Sequence, residues 1–223
     1  MTGDAVDRAA AALGLAVTGA FHPRAGDGAP EGIGTILLLG ARRDAMWRAF
    51  SASHEAADGR PDPLDRWSRR VIGYLAADLG AVALYPFGGP PYRPFQRWAA
   101  RGEGAVASPV AMQVTPSRGL WASYRGALGF REPMTLAARD STNPCLGCPA
   151  PCLTACPVDA FAGGAYDVPR CVSHIISPAG AACREGGCLV RHACPPGHGA
   201  TPPRGQCCFH MEAFIRVRLA AGG

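Results

Sequence analysis

The first 140 residues alternate between apolar positions spaced for helices and apolar runs spaced for strands. Asp4 is placed to cap a short helix over residues 5–13 that Gly14 stops, and residues 15–21 then read as a strand. A loop rich in Gly, Pro and Asp covers residues 22–32. Thr35-Ile36-Leu37-Leu38-Leu39, a run bounded by glycines, predicts a strand buried on both faces, and residues 42–57, with Trp47 and Phe50, predict a helix. Asp62 and Pro63 suit the N-cap and first position of another helix, whose Leu64, Trp67, Val71, Tyr74 and Leu75 recur on one face until Gly80 ends it. A strand over 81–87 and a helix over 92–101 follow, and two strands, 105–115 and 120–130, are predicted around the turn Pro116-Ser117-Arg118-Gly119.

Elements in this order predict an α+β sandwich. The rest of the chain is of another kind: residues 1–144 contain no cysteine, and all ten cysteines lie between Cys145 and Cys208. So sharp a shift in composition, preceded by a polar stretch ending in Asn143-Pro144, marks a boundary. The expected organisation is an α+β domain over 1–140, holding any cofactor or substrate pocket, and a cysteine-rich ferredoxin-like module over 141–223 that ends in a helix over 208–219.

At 223 residues, with 48% hydrophobic and 17% charged residues, the chain suits one domain with a real core plus a smaller module. Its longest purely apolar run, Ile36-Leu37-Leu38-Leu39, is far too short to span a bilayer, and no basic leader precedes it, so a cytoplasmic location with no membrane partner is expected. In a reducing compartment, clustered thiols read as metal ligands or redox groups before they read as disulfides. The formal charge of +5 counts every thiol as neutral, whereas thiolates around a cluster would bring the assembled protein nearer neutrality. The arginines are scattered, without a basic stripe interleaved with aromatics, so a nucleic-acid surface is not implied.

Two cysteine runs share one span. The first is Cys145-Leu-Gly-Cys148-Pro-Ala-Pro-Cys152-Leu-Thr-Ala-Cys156-Pro157; the second holds Cys183, Cys188 and Cys194-Pro195, with Cys171 between the runs. Eight thiols can make two four-thiolate sites, and Gly and Pro between them keep the backbone out of helix. In the bacterial two-cluster ferredoxin pattern, the cysteine before proline in each run ligates the other run's cluster. Applied here, Cys145, Cys148, Cys152 and Cys194 hold one [4Fe-4S] cluster, and Cys156, Cys171, Cys183 and Cys188 the second, Cys171 entering as the nearest spare thiol. The spacings depart from that pattern, since three residues separate Cys148 from Cys152 and the second run is spaced by four and five. Zinc is the competing reading, although structural zinc sites draw on separated Cys-x-x-Cys knuckles. Adjacent Cys207 and Cys208 read as small hydrophobes opening the last helix, and His174, His192 and His210 as hydrogen-bonding or surface residues.

The segments Cys156-Pro157-Val158-Asp159-Ala160-Phe161 and Arg170-Cys171-Val172-Ser173-His174, with the first cysteine run, resemble those of the epoxyqueuosine reductase family, related to corrinoid reductive dehalogenases and cobalamin-processing proteins. In that family the Arg-Cys-x-Ser segment supplies a cluster ligand, which the resemblance assigns to Cys171. Pro116-Ser117-Arg118-Gly119-Leu120-Trp121-Ala122-Ser123-Tyr124-Arg125-Gly126 is similar to the family's turn and Arg-Gly strand under the cofactor pocket. A strand there puts Trp121, Ser123 and Arg125 on one face, as pocket-lining residues for a cofactor; the plainer alternative is an arginine paired with a carboxylate. The resemblance implies a nitroreductase-like or cobalamin-processing-like first domain, bound cobalamin reduced through the clusters, an electron-donor protein as partner, and a small-molecule or modified-nucleoside substrate. The sequence ends soon after the second run, without the family's helical-repeat extension, and a tRNA substrate is not expected.

Overall fold

A computed structural model describes residues 2–138 and 140–220. Helix and sheet are mixed, the α+β class. The chain separates into two compact units: the first is the chain up to Ala105 together with Ser123–Thr142, and the second is Val106–Ala122 together with the chain from Asn143 onward.

The first unit is built on an antiparallel sheet of order β1-β2-β6-β3, formed by β1 (Leu15–Phe21), β2 (Thr35–Ala41), β6 (Gly126–Phe130) and β3 (Val82–Leu84). β2 is central, and Thr35 to Gly40 are all buried. Ile36 and Leu38 pack with Phe95 and Trp98 of α5 (Phe95–Gly102). Leu37 and Leu39 alternate to the other face, where Gly126, opposite Leu39, lies against Ile72 of α4 (Pro63–Leu79). A strand covered on both faces must be apolar at every position, which is why this stretch reads as one unbroken run.

Several boundaries differ from expectation. α1 (Gly3–Ala11) is capped by the Thr2 hydroxyl rather than by Asp4, which sits in the first turn. The 42–57 segment breaks at Ala52 and Ser53 into α2 (Asp44–Ser51) and α3 (His54–Ala57). Asp62 occupies the N-cap of α4 without a side-chain cap bond, and Tyr74 is 70% exposed although its spacing put it with the apolar face.

The largest correction concerns residues 105–130. They form no pair of long strands: β4 (Val106–Ala107) and β5 (Gln113–Val114) make a short hairpin in the second unit, and only residues 126–130 join the main sheet. Pro109 has no N–H for a ladder, and the Ser108 N–H to Met112 carbonyl bond (2.9 Å) closes a tight turn there instead. Trp121 N–H donates to the Arg118 carbonyl (3.0 Å), closing a turn, and the main chain reaches the sheet again only where Arg125 N–H donates to the Leu39 carbonyl (2.8 Å).

Glu55 of α3 is 3% exposed and receives Arg70 of α4 at 2.6 and 2.9 Å. The Arg70 guanidinium holds the Glu55 carboxyl down from the ordinary 4.5 to about 2. A depressed acid contributes stability that is complete above its unfolded value and fades as pH falls towards its folded one. Unfolding stability is therefore expected to decline between about pH 4.5 and 2, and Glu55→Gln to flatten that part of the profile while costing roughly 1–3 kcal/mol at neutral pH. Denaturant melts of both proteins at pH 7 and pH 3 check this; equal losses on acidification would count against the pair.

The second unit packs α6 (Val168–Ile176), α7 (Ala181–Gly186) and α9 (Arg204–Ala220) together, with α8 (Leu189–His192) beside the Cys152 turn. Cys152 and Cys194 are themselves core members, packed with Val110, Val114, Leu120 and Val190. Among the described residues, no helix is long and apolar enough to cross a membrane.

Candidate metal centre

Left-handed backbone at Gly147 (φ 74°) and Ala150 (φ 52°) bends the first run so that Cys145, Cys148 and Cys152 face one space. Cys194, from the second run, completes the wall of a partly open hollow. The thiols feel one another there. Burial chiefly pushes the Cys145 thiol up, with Cys148 and Cys194 adding to it, and Cys152 is raised by burial and then by Cys194, Cys145 and Cys148.

The remaining four form a second neighbourhood. Cys171 is raised by burial first and then by Cys188 and Cys156; Cys183 is raised by burial and then by Cys188, Cys171 and Cys156. Cys194 thus joins the thiols of the first run, while Cys156 stands near Cys171 and Cys183 and packs, with Cys171 and Cys188, against the same core as Cys152 and Cys194. Ala160 N–H donates to Cys156 Sγ (3.3 Å), and Leu189 and Tyr166 work against the rise that burial imposes on the Cys183 and Cys171 thiols. Tyr166 is held by stacking on Phe161, centroids 4.6 Å apart and planes 9° apart.

Among the described residues, no three His, Cys, Asp or Glu side chains converge closely enough to hold a single metal ion. The first quartet instead stands around a space. The wall between its thiols is five prolines, Ala150, Val114, Leu120 and Ser108, whose buried Oγ has no hydrogen-bond partner among the described residues. Four thiols in an apolar lining fit a bound iron–sulfur body, which takes thiolate ligands.

Cys207 and Cys208 stay outside both quartets. Cys207 is 4% exposed with its thiol towards the Pro202 carbonyl (3.6 Å), and Cys208 donates to Glu212 (3.4 Å). Of the histidines, His192 donates to the Gly186 carbonyl (2.8 Å) and meets Trp121 edge-on.

The three residues expected to line a cofactor pocket fall in different units. Trp121 belongs to the second, wedged between Gly187 and Gly197 with Arg191 over its ring. Ser123 and Arg125 belong to the first, where Arg125 donates to Asp65 (2.8 Å) and lies over Phe87. Since residues 120–125 are not a strand, the shared face assigned to the three does not exist. Reasoning from sequence missed Ser108 and Tyr166. Ser108 carries no local signal, because the tertiary fold alone brings it to the cysteines, whereas Tyr166 lies only five positions before Cys171. No protein-family model, curated protein or solved structure matches this chain.

Proposed function

We propose that this chain is a cytoplasmic iron–sulfur redox protein of the epoxyqueuosine reductase-like kind, holding two [4Fe-4S] clusters in its second unit. The observation that carries the reading is the hollow walled by Cys145, Cys148, Cys152 and Cys194, three thiols of the first cysteine run and one of the second. Bound clusters would supply one-electron transfer at low potential. Cys145, Cys148, Cys152 and Cys194 would hold one, and Cys156, Cys171, Cys183 and Cys188 the other. Four cysteines within twelve residues, closed by Cys156-Pro157, suit a cluster better than a lone tetrahedral zinc, which draws on separated Cys-x-x-Cys knuckles.

The rest of the second unit would keep water from the sulfurs and orient the thiols. Val114 is 1% and Leu120 2% exposed, and both stand on the wall of the first hollow. Unperturbed thiols are protonated at neutral pH and burial strengthens that preference, so uptake of metal would release protons. Electrons would come from a donor protein and leave to a cofactor or substrate, cobalamin being the candidate the sequence resemblance supplies.

Protein purified without oxygen is expected to be brown, to contain iron and acid-labile sulfide in equal amounts, and to bleach on reduction. A colourless protein carrying zinc would remove the proposal. Anaerobic mixing with cobalamin checks the acceptor: a changed corrinoid spectrum places it on this chain, and an unchanged one leaves electron carriage to a partner enzyme.

A further inference from the structure

The last helix ends in an apolar and basic patch. α9 packs against α6 and α7, the helices that carry Cys171 and Cys183, and its final turns hold Phe214-Ile215-Arg216-Val217-Arg218-Leu219. Val217 is 61% and Leu219 55% exposed, and Arg216 and Arg218 are exposed beside them with no carboxylate partner among the described residues. The neighbouring acids are engaged: Glu212, one turn before Arg216, accepts from the Cys208 thiol (3.4 Å), and Asp167, which follows the Tyr166 that stacks on Phe214, pairs with Arg170 (3.3 Å). Cations in a last turn complement the helix dipole, which accounts for the arginines but not for the exposed apolar residues set among them.

Behind the patch stands a column of rings. Arg218 lies over Phe214 (5.4 Å to the ring centre), Phe214 stacks on Tyr166 (centroids 6.4 Å apart, planes 21°), and Tyr166 stacks on Phe161. Phe161 is buried in the core that includes Cys152 and Cys194 and against which Cys156, Cys171 and Cys188 pack. The column therefore leads, ring by ring, from an exposed arginine to the thiols. The main chain beside Tyr166 is pinned, since Asp167 N–H donates to the Ala160 carbonyl (2.7 Å) and the Asp167 carboxylate accepts from Arg170 N–H (2.9 Å).

We infer that this end of α9 is the docking surface for an acidic one-electron carrier protein, whose electron enters the thiol core by way of Phe214, Tyr166 and Phe161. Charge complementarity names the occupant: Arg216 and Arg218 attract a partner with carboxylates around its redox group, while Val217, Leu219 and the rings supply apolar contact. Electron-transfer encounters need little interface area, so one helix end with its rings suffices. In each encounter the reduced carrier loses one electron and a centre in the thiol core gains it; no bond forms or breaks, and the rings keep their electron count. The inference rests on the iron–sulfur reading and adds to it where the donor binds and what charge it carries.

The test is anaerobic stopped-flow reduction of the full, iron-loaded chain by a reduced acidic ferredoxin of the plant type. Reduced methyl viologen at high salt, a small molecule that needs no docking surface, is the control. The second-order rate with the ferredoxin is expected to fall as salt rises from about 20 to about 200 mM. Arg216→Glu combined with Arg218→Glu should lower it roughly ten-fold at low salt, with iron content and the viologen rate unchanged, while the paired Arg→Lys variant stays near wild type. If the reversed pair fails to load iron, Arg216→Gln with Arg218→Gln decides, with a several-fold slowing expected. Phe214→Leu keeps both arginines, so the ferredoxin concentration at half-maximal rate should hold while the limiting rate falls; an unchanged limiting rate would refute the ring path. No reduction by the ferredoxin, a wild-type rate indifferent to salt, or charge-altered variants that react like wild type would overturn this inference alone. So would unchanged ferredoxin kinetics in variants that have lost binding to phosphatidylserine vesicles, a result that assigns the patch to a membrane. Absence of iron from the wild-type chain would remove it together with the reading beneath it.

Discussion

A Cys194→Ser chain is expected to lose about half of its iron and sulfide, and the centre that disappears should be the one anchored by Cys145, Cys148 and Cys152. Cys194 lies thirty-eight positions beyond Cys156 in sequence, yet it stands on the same wall as the first run and raises the thiols of Cys145 and Cys152. At 7% exposure it is also a core member, so a three-iron remnant or complete loss are both accepted forms of damage to that centre. Loss confined to the Cys171 and Cys183 centre would refute the crossing of the runs.

The second large effect is expected at Gly119. Its backbone is left-handed (φ 54°), and a Cβ there would stand 2.5 Å from Gly197 N, 2.7 Å from Gly197 Cα and 2.9 Å from Cys194 Sγ. Two of these three neighbours are backbone atoms and cannot rotate away. An alanine must therefore both adopt a disfavoured conformation, at about 1–2 kcal/mol, and push apart the turn that carries Cys194, at about 1–3 kcal/mol. Gly119→Ala is expected to lower stability by roughly 2–5 kcal/mol and to loosen the first centre before the second. Thermal melts with iron analysis of the same samples check this. An unchanged melting temperature with full loading would show that the Gly119–Gly197 approach is slack.

The turn that places Gly119 was only half legible in advance. Pro116-Ser117-Arg118-Gly119 reads as a turn, and Thr115 and Gly119 do bridge across it, but the long strands expected on either side are absent. Pro109 interrupts the first, and the second begins only at Gly126 because residues 120–122 are taken into the second unit. Trp121 shows the reason. Its alternation with Ser123 and Arg125 suggested a strand face, whereas the indole fills the gap between Gly187 and Gly197, residues more than sixty positions away. Packing of a large side chain outweighs a local alternation of three residues.

The strands of the first unit were more legible. Residues 15–21 form a strand with the limits their pattern gives, and the apolar run from Thr35 is the central strand. Such elements can be read because burial on one or both faces imposes a period on the sequence itself. The helix break at Ala52 and the exposed Tyr74 carry no comparable mark.

By itself the sequence determined that the cysteines form one module with two runs of equal span, because ligand spacing and Cys-Pro punctuation are local and survive without the fold. It also determined the central strand, whose apolar run has no other stable home in water. Only the tertiary structure decided that the Val106–Ala122 hairpin belongs with the cysteines, that Trp121 and Arg125 serve different units, and that Cys194 joins the wall beside the first run. Those outcomes depend on which distant side chains fill a shared space, and that is settled by close packing and by the need to pair buried hydroxyls and guanidinium groups, neither of which leaves a periodic trace along the chain.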